Sequence, residues 1–80
     1  MSNDLMIRCL ENVLRENNIT AYDICNDSEL CICLSHENSK WLTYSVERGQ
    51  RFSVKVFDHL STACINMLMR LSENVSAYLI

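Results

Sequence analysis

The chain has 80 residues, of which 49% are apolar and 21% charged, with a formal net charge of -3, one glycine, no proline and five cysteines. That length leaves room for one domain spanning 1–80 and not for two independent cores, and the composition is globular rather than disordered. The acidic balance argues against general phosphate-backbone binding, so no direct nucleic-acid contact is expected.

Acids interrupt the apolar residues from Met1 to Ile19, so this stretch reads as neither a secretory signal nor a membrane span. Cys9, Cys25, Cys31, Cys33 and Cys64 are odd in number and lie in helix-like and strand-like segments, which points to reduced thiols and a cytoplasmic setting. From Asp4 to Glu16, Leu5, Met6, Cys9, Leu10, Val13 and Leu14 form the one-sided stripe of an amphipathic helix. Ser2 or Asn3 caps it, Asp4 with Arg8 and Glu11 with Arg15 make acid-first i,i+4 pairs, and Asn17-Asn18 ends it.

Four segments with period-two alternation follow: Thr20 to Cys25, Glu29 to Ser35, Lys40 to Glu47 and Arg51 to Phe57. Asn26-Asp27-Ser28 and His36-Glu37-Asn38-Ser39 read as turns, and Gly49 in Arg48-Gly49-Gln50 marks a tight hairpin that needs a positive φ. A second amphipathic stripe, Leu60, Ala63, Cys64, Met67, Leu68 and Leu71, begins near His59 to Ser61 and extends in pattern through Val75, Tyr78 and Leu79. These elements predict an α+β fold, αββββα, with a four-stranded antiparallel meander and both helices on one sheet face. The expected core face carries Tyr22, Ile24, Leu30, Ile32, Leu34, Leu42, Tyr44, Val46, Phe52, Val54 and Val56. The expected outer face carries Asp23, Cys25, Cys31, Cys33, Trp41, Thr43, Ser45, Arg51, Ser53 and Lys55.

Catalytic and metal chemistry find little support. Cys31-x-Cys33, with Cys25, His36 and His59, offers zinc-type ligands, but the pair sits inside an alternating strand and lacks a second C-x-x-C, so packing thiols are the better reading and no metal or cofactor is implied. His36 and His59 belong to no nucleophile motif, and one glycine cannot build a phosphate loop, so no enzyme is expected. Basic residues concentrate late (Lys40, Arg48, Arg51, Lys55, Arg70) and acidic ones early, an asymmetry suited to orienting a charged protein partner. The partner-binding candidates are Trp41, Thr43 and Arg51 on the outer face, with an acidic rim at Asp23, Asp27 and Glu29, although Trp41 reads at least as well as a core or half-core aromatic.

The run Lys40 to Gly49 contains W-x-x-Y-x-x-E-R-G; Phe57-Asp58 lies eight residues on, and Ala63-Cys64 with Met67, Leu68 and Leu71 follows. This pattern, covering Lys40 to Leu71, resembles small bacterial immunity proteins, the antidotes encoded beside polymorphic and contact-dependent-inhibition toxins. The resemblance implies a cytoplasmic, stoichiometric inhibitor that binds a cognate toxin domain, with no catalytic residue in the motif. An acidic surface would suit a basic nuclease toxin. The alternative is a regulatory or adaptor module, homodimeric through an exposed sheet face or edge strand.

Overall fold

The computed structural model describes the backbone of residues 2–79 and the side chains of residues 2–72. The elements run α1 (Asn3–Glu16), β1 (Tyr22–Ile24), β2 (Ile32–Glu37), β3 (Lys40–Glu47), β4 (Gln50–Phe57) and α2 (Leu60–Leu79). The strands form one sheet in the order β1-β2-β3-β4.

Ser2 starts α1 as anticipated: its Oγ accepts the Leu5 N–H at 3.2 Å, satisfying one of the orphan donors of the first turn. The helix ends in a Schellman motif. Asn18 takes the left-handed conformation (φ 57), its N–H donates to the Arg15 carbonyl, and the Ile19 N–H donates to the Leu14 carbonyl at 2.9 Å. Ile19 thereby turns back onto the core. The stripe of α1 is narrower than its pattern: Leu10 and Leu14 are buried, while Leu5 and Val13 remain exposed. The ion pairs among the described residues are Lys40–Asp58, Arg51–Asp27 and Arg51–Glu37, so the i,i+4 pairs expected on α1 are not formed.

The sheet is mixed, which corrects the expected antiparallel meander. β1 pairs parallel to β2, with Tyr22 opposite Ile32 and Ile24 opposite Leu34. Parallel neighbours ordinarily need a dozen or more connecting residues. Residues 25–31 suffice here because β1 has only three residues, and returning along it spans about 10 Å. Cys25 (φ 68) and Leu30 (φ 59) reverse the chain at the two ends of this crossover. The Cys25 N–H donates to the Leu34 carbonyl, the Ile32 N–H to the Ala21 carbonyl, and the Leu30 N–H to the Val46 carbonyl, which ties the crossover down. Leu30, expected in a strand on the core face, is instead 73% exposed.

β2, β3 and β4 do form a meander. Glu37 and Lys40 close a two-residue turn at Asn38 (φ 52) and Ser39 (φ 63), so His36 and Glu37 belong to β2 and not to a loop. Glu47 and Gln50 close a second turn at Arg48 (φ 54) and Gly49 (φ 74). Two successive positive φ values are the mark of a type I′ hairpin, whose twist matches the flanking strands.

The β2–β3 register decides the faces. Ile32, Leu34 and His36 stand opposite Ser45, Thr43 and Trp41. Trp41 therefore joins Ile32 and Leu34, and Leu10 and Leu14 of α1 with Leu60, Ala63, Cys64, Met67 and Leu71 of α2 close around them. Trp41 is 8% exposed and Thr43 wholly buried, so both leave the outer face on which alternation alone puts them. Tyr44 and Val46, expected in that core, form a second cluster with Cys33, against which Cys31 and Leu42 pack. β4 departs again. Thr43 pairs with Lys55 but Ser45 with Phe52, so one extra residue is inserted at Ser53 (φ 53). This bulge turns Phe52 away from the side shared by Val54 and Val56, and all three are exposed. The stripe positions Val75, Tyr78 and Leu79 fall outside the residues whose side chains are described.

Candidate functional site

On the sheet face bearing Tyr44, the crossover folds down over β3 and is held there by charge. The Tyr44 hydroxyl donates to Asp27 Oδ1 at 2.5 Å. Arg51 reaches the same carboxylate with Nε at 2.8 Å from Oδ2 and Nη2 at 3.2 Å from Oδ1, a bidentate fork. Its Nη1 lies 2.9 Å from Glu37 Oε2, which also accepts the Ser35 hydroxyl at 2.6 Å. The guanidinium carbon sits 4.2 Å from the centroid of the Tyr44 ring, a cation–π contact.

These contacts set the protonation states. Hydrogen bonds from Arg51, then from Tyr44, hold the Asp27 carboxyl below its ordinary range. The Ser35 and Arg51 bonds do the same for Glu37. Burial, reinforced by the anionic Asp27, pushes the Tyr44 phenol up to about 12. Burial likewise raises the thiols of Cys31, Cys33 and Cys64. Near neutral pH the group is two carboxylates, one guanidinium, a protonated phenol and protonated thiols, an arrangement suited to holding the crossover on the sheet.

The acids of β1 and of the rest of the crossover are engaged too. Asp23 accepts the Ser28 hydroxyl through Oδ2 and the Ile24 N–H at 2.8 Å through Oδ1. The Glu29 carboxylate accepts the Arg48 N–H and, at 3.1 Å, the Gly49 N–H, capping the second hairpin from across the sheet. Of the six candidates from the sequence, the fold thus brings Asp27 and Arg51 together and seats Glu29 on the hairpin turn. Asp23 lies in β1 and is taken up by Ser28 of the crossover. Trp41 and Thr43 lie on the opposite side: His36 stacks on Trp41 at 4.1 Å between ring centroids, and the Thr43 hydroxyl donates to Asn66 Oδ1 at 2.6 Å.

Sequence reading groups Glu37 with the acids near the first strand pair but puts it in a loop, misses Ser35, and assigns Tyr44 to the wrong cluster. It places the fourth strand correctly but expects Phe52, Val54 and Val56 of that strand in the core. β4 pairs with β3 alone, and Phe52, Val54 and Val56 are 45%, 45% and 59% exposed. Aromatic and β-branched residues on a strand normally signal burial; here the last place in the sheet leaves them uncovered. A separate open groove of about 580 Å³ runs between α1 and β1, lined by residues that include Glu11, Arg15, Tyr22 and Asp23. Among the described residues no group of three or more His, Cys, Asp or Glu side chains is placed to hold a metal ion, and no helix is long and apolar enough to cross a membrane. Comparison with protein-family models, with curated proteins and with solved structures gives no match.

Proposed function

We propose that this chain is a cytoplasmic immunity protein that binds a cognate bacterial toxin domain and neutralises it by stoichiometric association, with both helices covering the Trp41 face. The observation that carries the reading is the W-x-x-Y-x-x-E-R-G run, which forms β3 and its turn. Trp41 and Tyr44 of that run are interior, and Glu47-Arg48-Gly49 is a hairpin end, so the motif builds a scaffold. The ionisable groups gathered beside it are paired or held protonated, which suits a binding module better than a catalyst. Because the crossover carboxylates are engaged within the chain, the contact with the toxin falls to β4 and its surroundings.

The test is genetic and then physical. A reading frame beside this one should encode a protein that arrests growth when expressed alone and is harmless when this chain is co-expressed. The two should co-purify in a one-to-one complex. A toxic neighbour that this chain neither binds nor silences would sink the proposal.

A further inference from the structure

β4 differs from the other strands in charge as well as in exposure. β1 carries Asp23, β2 Glu37 and β3 both Lys40 and Glu47, whereas β4 carries Arg51 and Lys55 and no acid, on a chain whose net charge is -3. Arg51 is neutralised by Asp27 and Glu37, and Lys55 belongs to none of the ion pairs among the described residues. Lys55 is therefore the uncompensated cation of an otherwise apolar edge.

The bulge divides that edge. Ser53 takes a positive φ and its carbonyl accepts a bond from Arg70, so a strand approaching from outside meets a blocked, kinked position there. Beyond it Lys55 to Phe57 runs regularly against β3, with Lys55 opposite Thr43, Val56 opposite Leu42 and Phe57 opposite Trp41, and Val54 joins that run to the bulge. The other end of the sheet is closed by contrast: in β1 the Ile24 N–H is taken by Asp23 and its carbonyl accepts Asn26 Nδ2 at 3.5 Å.

We infer that Val54 to Phe57 is a docking edge that takes an extended, acid-bearing segment of the protein partner as a fifth strand. The inference rests on the binding role proposed above and deepens it. Main-chain ladder bonds would supply the attachment, Val54 and Val56 would grip one face of the added strand, and Lys55 would select an acidic residue on the other. A second copy of β4 is the poorer occupant, because it would bring Lys55 of both chains to one junction while β4 itself carries no acid to offset them. The bulge and Arg70 prevent the added strand from sliding past Ser53 and so fix its register.

The test uses the whole, isotope-labelled chain and a capped peptide of alternating valine and glutamate with the length of β4, followed by nuclear magnetic resonance. The peptide should shift the amide signals of Val54 to Phe57 and slow their exchange with solvent. The same peptide with lysine in place of glutamate should bind about fivefold more weakly, and Lys55→Glu should reverse that preference. Val56→Glu, at an exposed position where the fold tolerates it, should weaken binding of the glutamate peptide. Equal response to both peptides, shifts confined to other residues, or a sedimentation profile in which paired copies already cover β4 would overturn the inference. Capture of the neighbouring toxin that is indifferent to Lys55→Glu and Val56→Glu would overturn the docking edge and leave the immunity role standing. Peptide docking at β4 without any toxic neighbour would do the reverse.

Discussion

β3 and β4 are the two arms of one hairpin, yet they lead opposite lives. Trp41, Thr43, Tyr44 and Val46 of β3 are all buried, so that strand is interior on both faces. No residue of β4 is buried, although Phe52, Val54 and Val56 are as apolar as anything in its partner. Local composition cannot account for the difference. β3 has a strand on each side, α2 and Trp41's cluster on one face and the crossover on the other, whereas β4 has one strand neighbour, β3, and is reached by the crossover and by α2 at Arg51 and Ser53. Burial in a sheet this small is decided by position in the strand order, and the same alternating pattern serves as core in one arm and as surface in the other.

Substitutions on the two arms should separate accordingly. The largest effect is expected at Tyr44, where alanine leaves a cavity and strips Asp27 of a donor, at a cost of about 3–5 kcal/mol in urea unfolding. Val56→Ala on the other arm should stay within about 0.5 kcal/mol. Next comes a single rung of the ladder, Thr43 opposite Lys55. Thr43→Val keeps the shape but leaves Asn66 Oδ1 without its donor, costing about 1–3 kcal/mol, while Lys55→Ala should be close to neutral. Equal costs on this rung would erase the contrast between the arms.

Titration sharpens the same comparison. With its phenol pushed up to about 12, Tyr44 contributes stability that is complete below pH about 10 and is lost as pH rises from there through the folded value. Absorbance of tyrosinate should show one tyrosine ionising late and together with unfolding, and Tyr44→Phe should remove that alkaline dependence. Asp27 has the opposite sign. Its folded value is depressed, so its contribution is present above the ordinary carboxylate value near 3.9 and is lost as pH falls through the folded one. Asp27→Asn should flatten the acid limb of the stability profile. A smaller effect than at Tyr44 is expected at the turn that joins the arms: a Cβ at Gly49 meets nothing within 4 Å, so Gly49→Ala costs only the left-handed backbone, about 1–2 kcal/mol.

Much of the fold is legible in the chain. Ser2, the two stripes and the glycine at 49 place both helices and the second hairpin, because capping, amphipathic period and positive φ are local requirements. What is not local is not legible. Asn26-Asp27-Ser28 has the same polar chemistry whether it turns a hairpin or starts a crossover, so the parallel β1–β2 pairing leaves no mark. β3 is apolar or small on both sides, and alternation cannot say whether Trp41 or Tyr44 faces the helices. The bulge falls at Ser53, where no glycine announces it. The polar group around Tyr44 suffers most, since Asp27 and Arg51 are 24 residues apart and only the register of three strands brings them into contact.

The brevity of the crossover has a kinetic corollary. Asp27 finds Tyr44 and Arg51 at separations of 17 and 24 residues, and Glu29 finds Gly49 at 20, whereas the β2–β3–β4 meander closes through two-residue turns. The meander can assemble first from neighbours in the chain, and the crossover then has a finished surface on which to settle. Its anchors would be absent from the rate-limiting step: Asp27→Ala and Glu29→Ala should hasten unfolding in stopped-flow experiments and leave the refolding rate nearly unchanged. β1, carried in by that segment, would be the last strand to join and the first to leave.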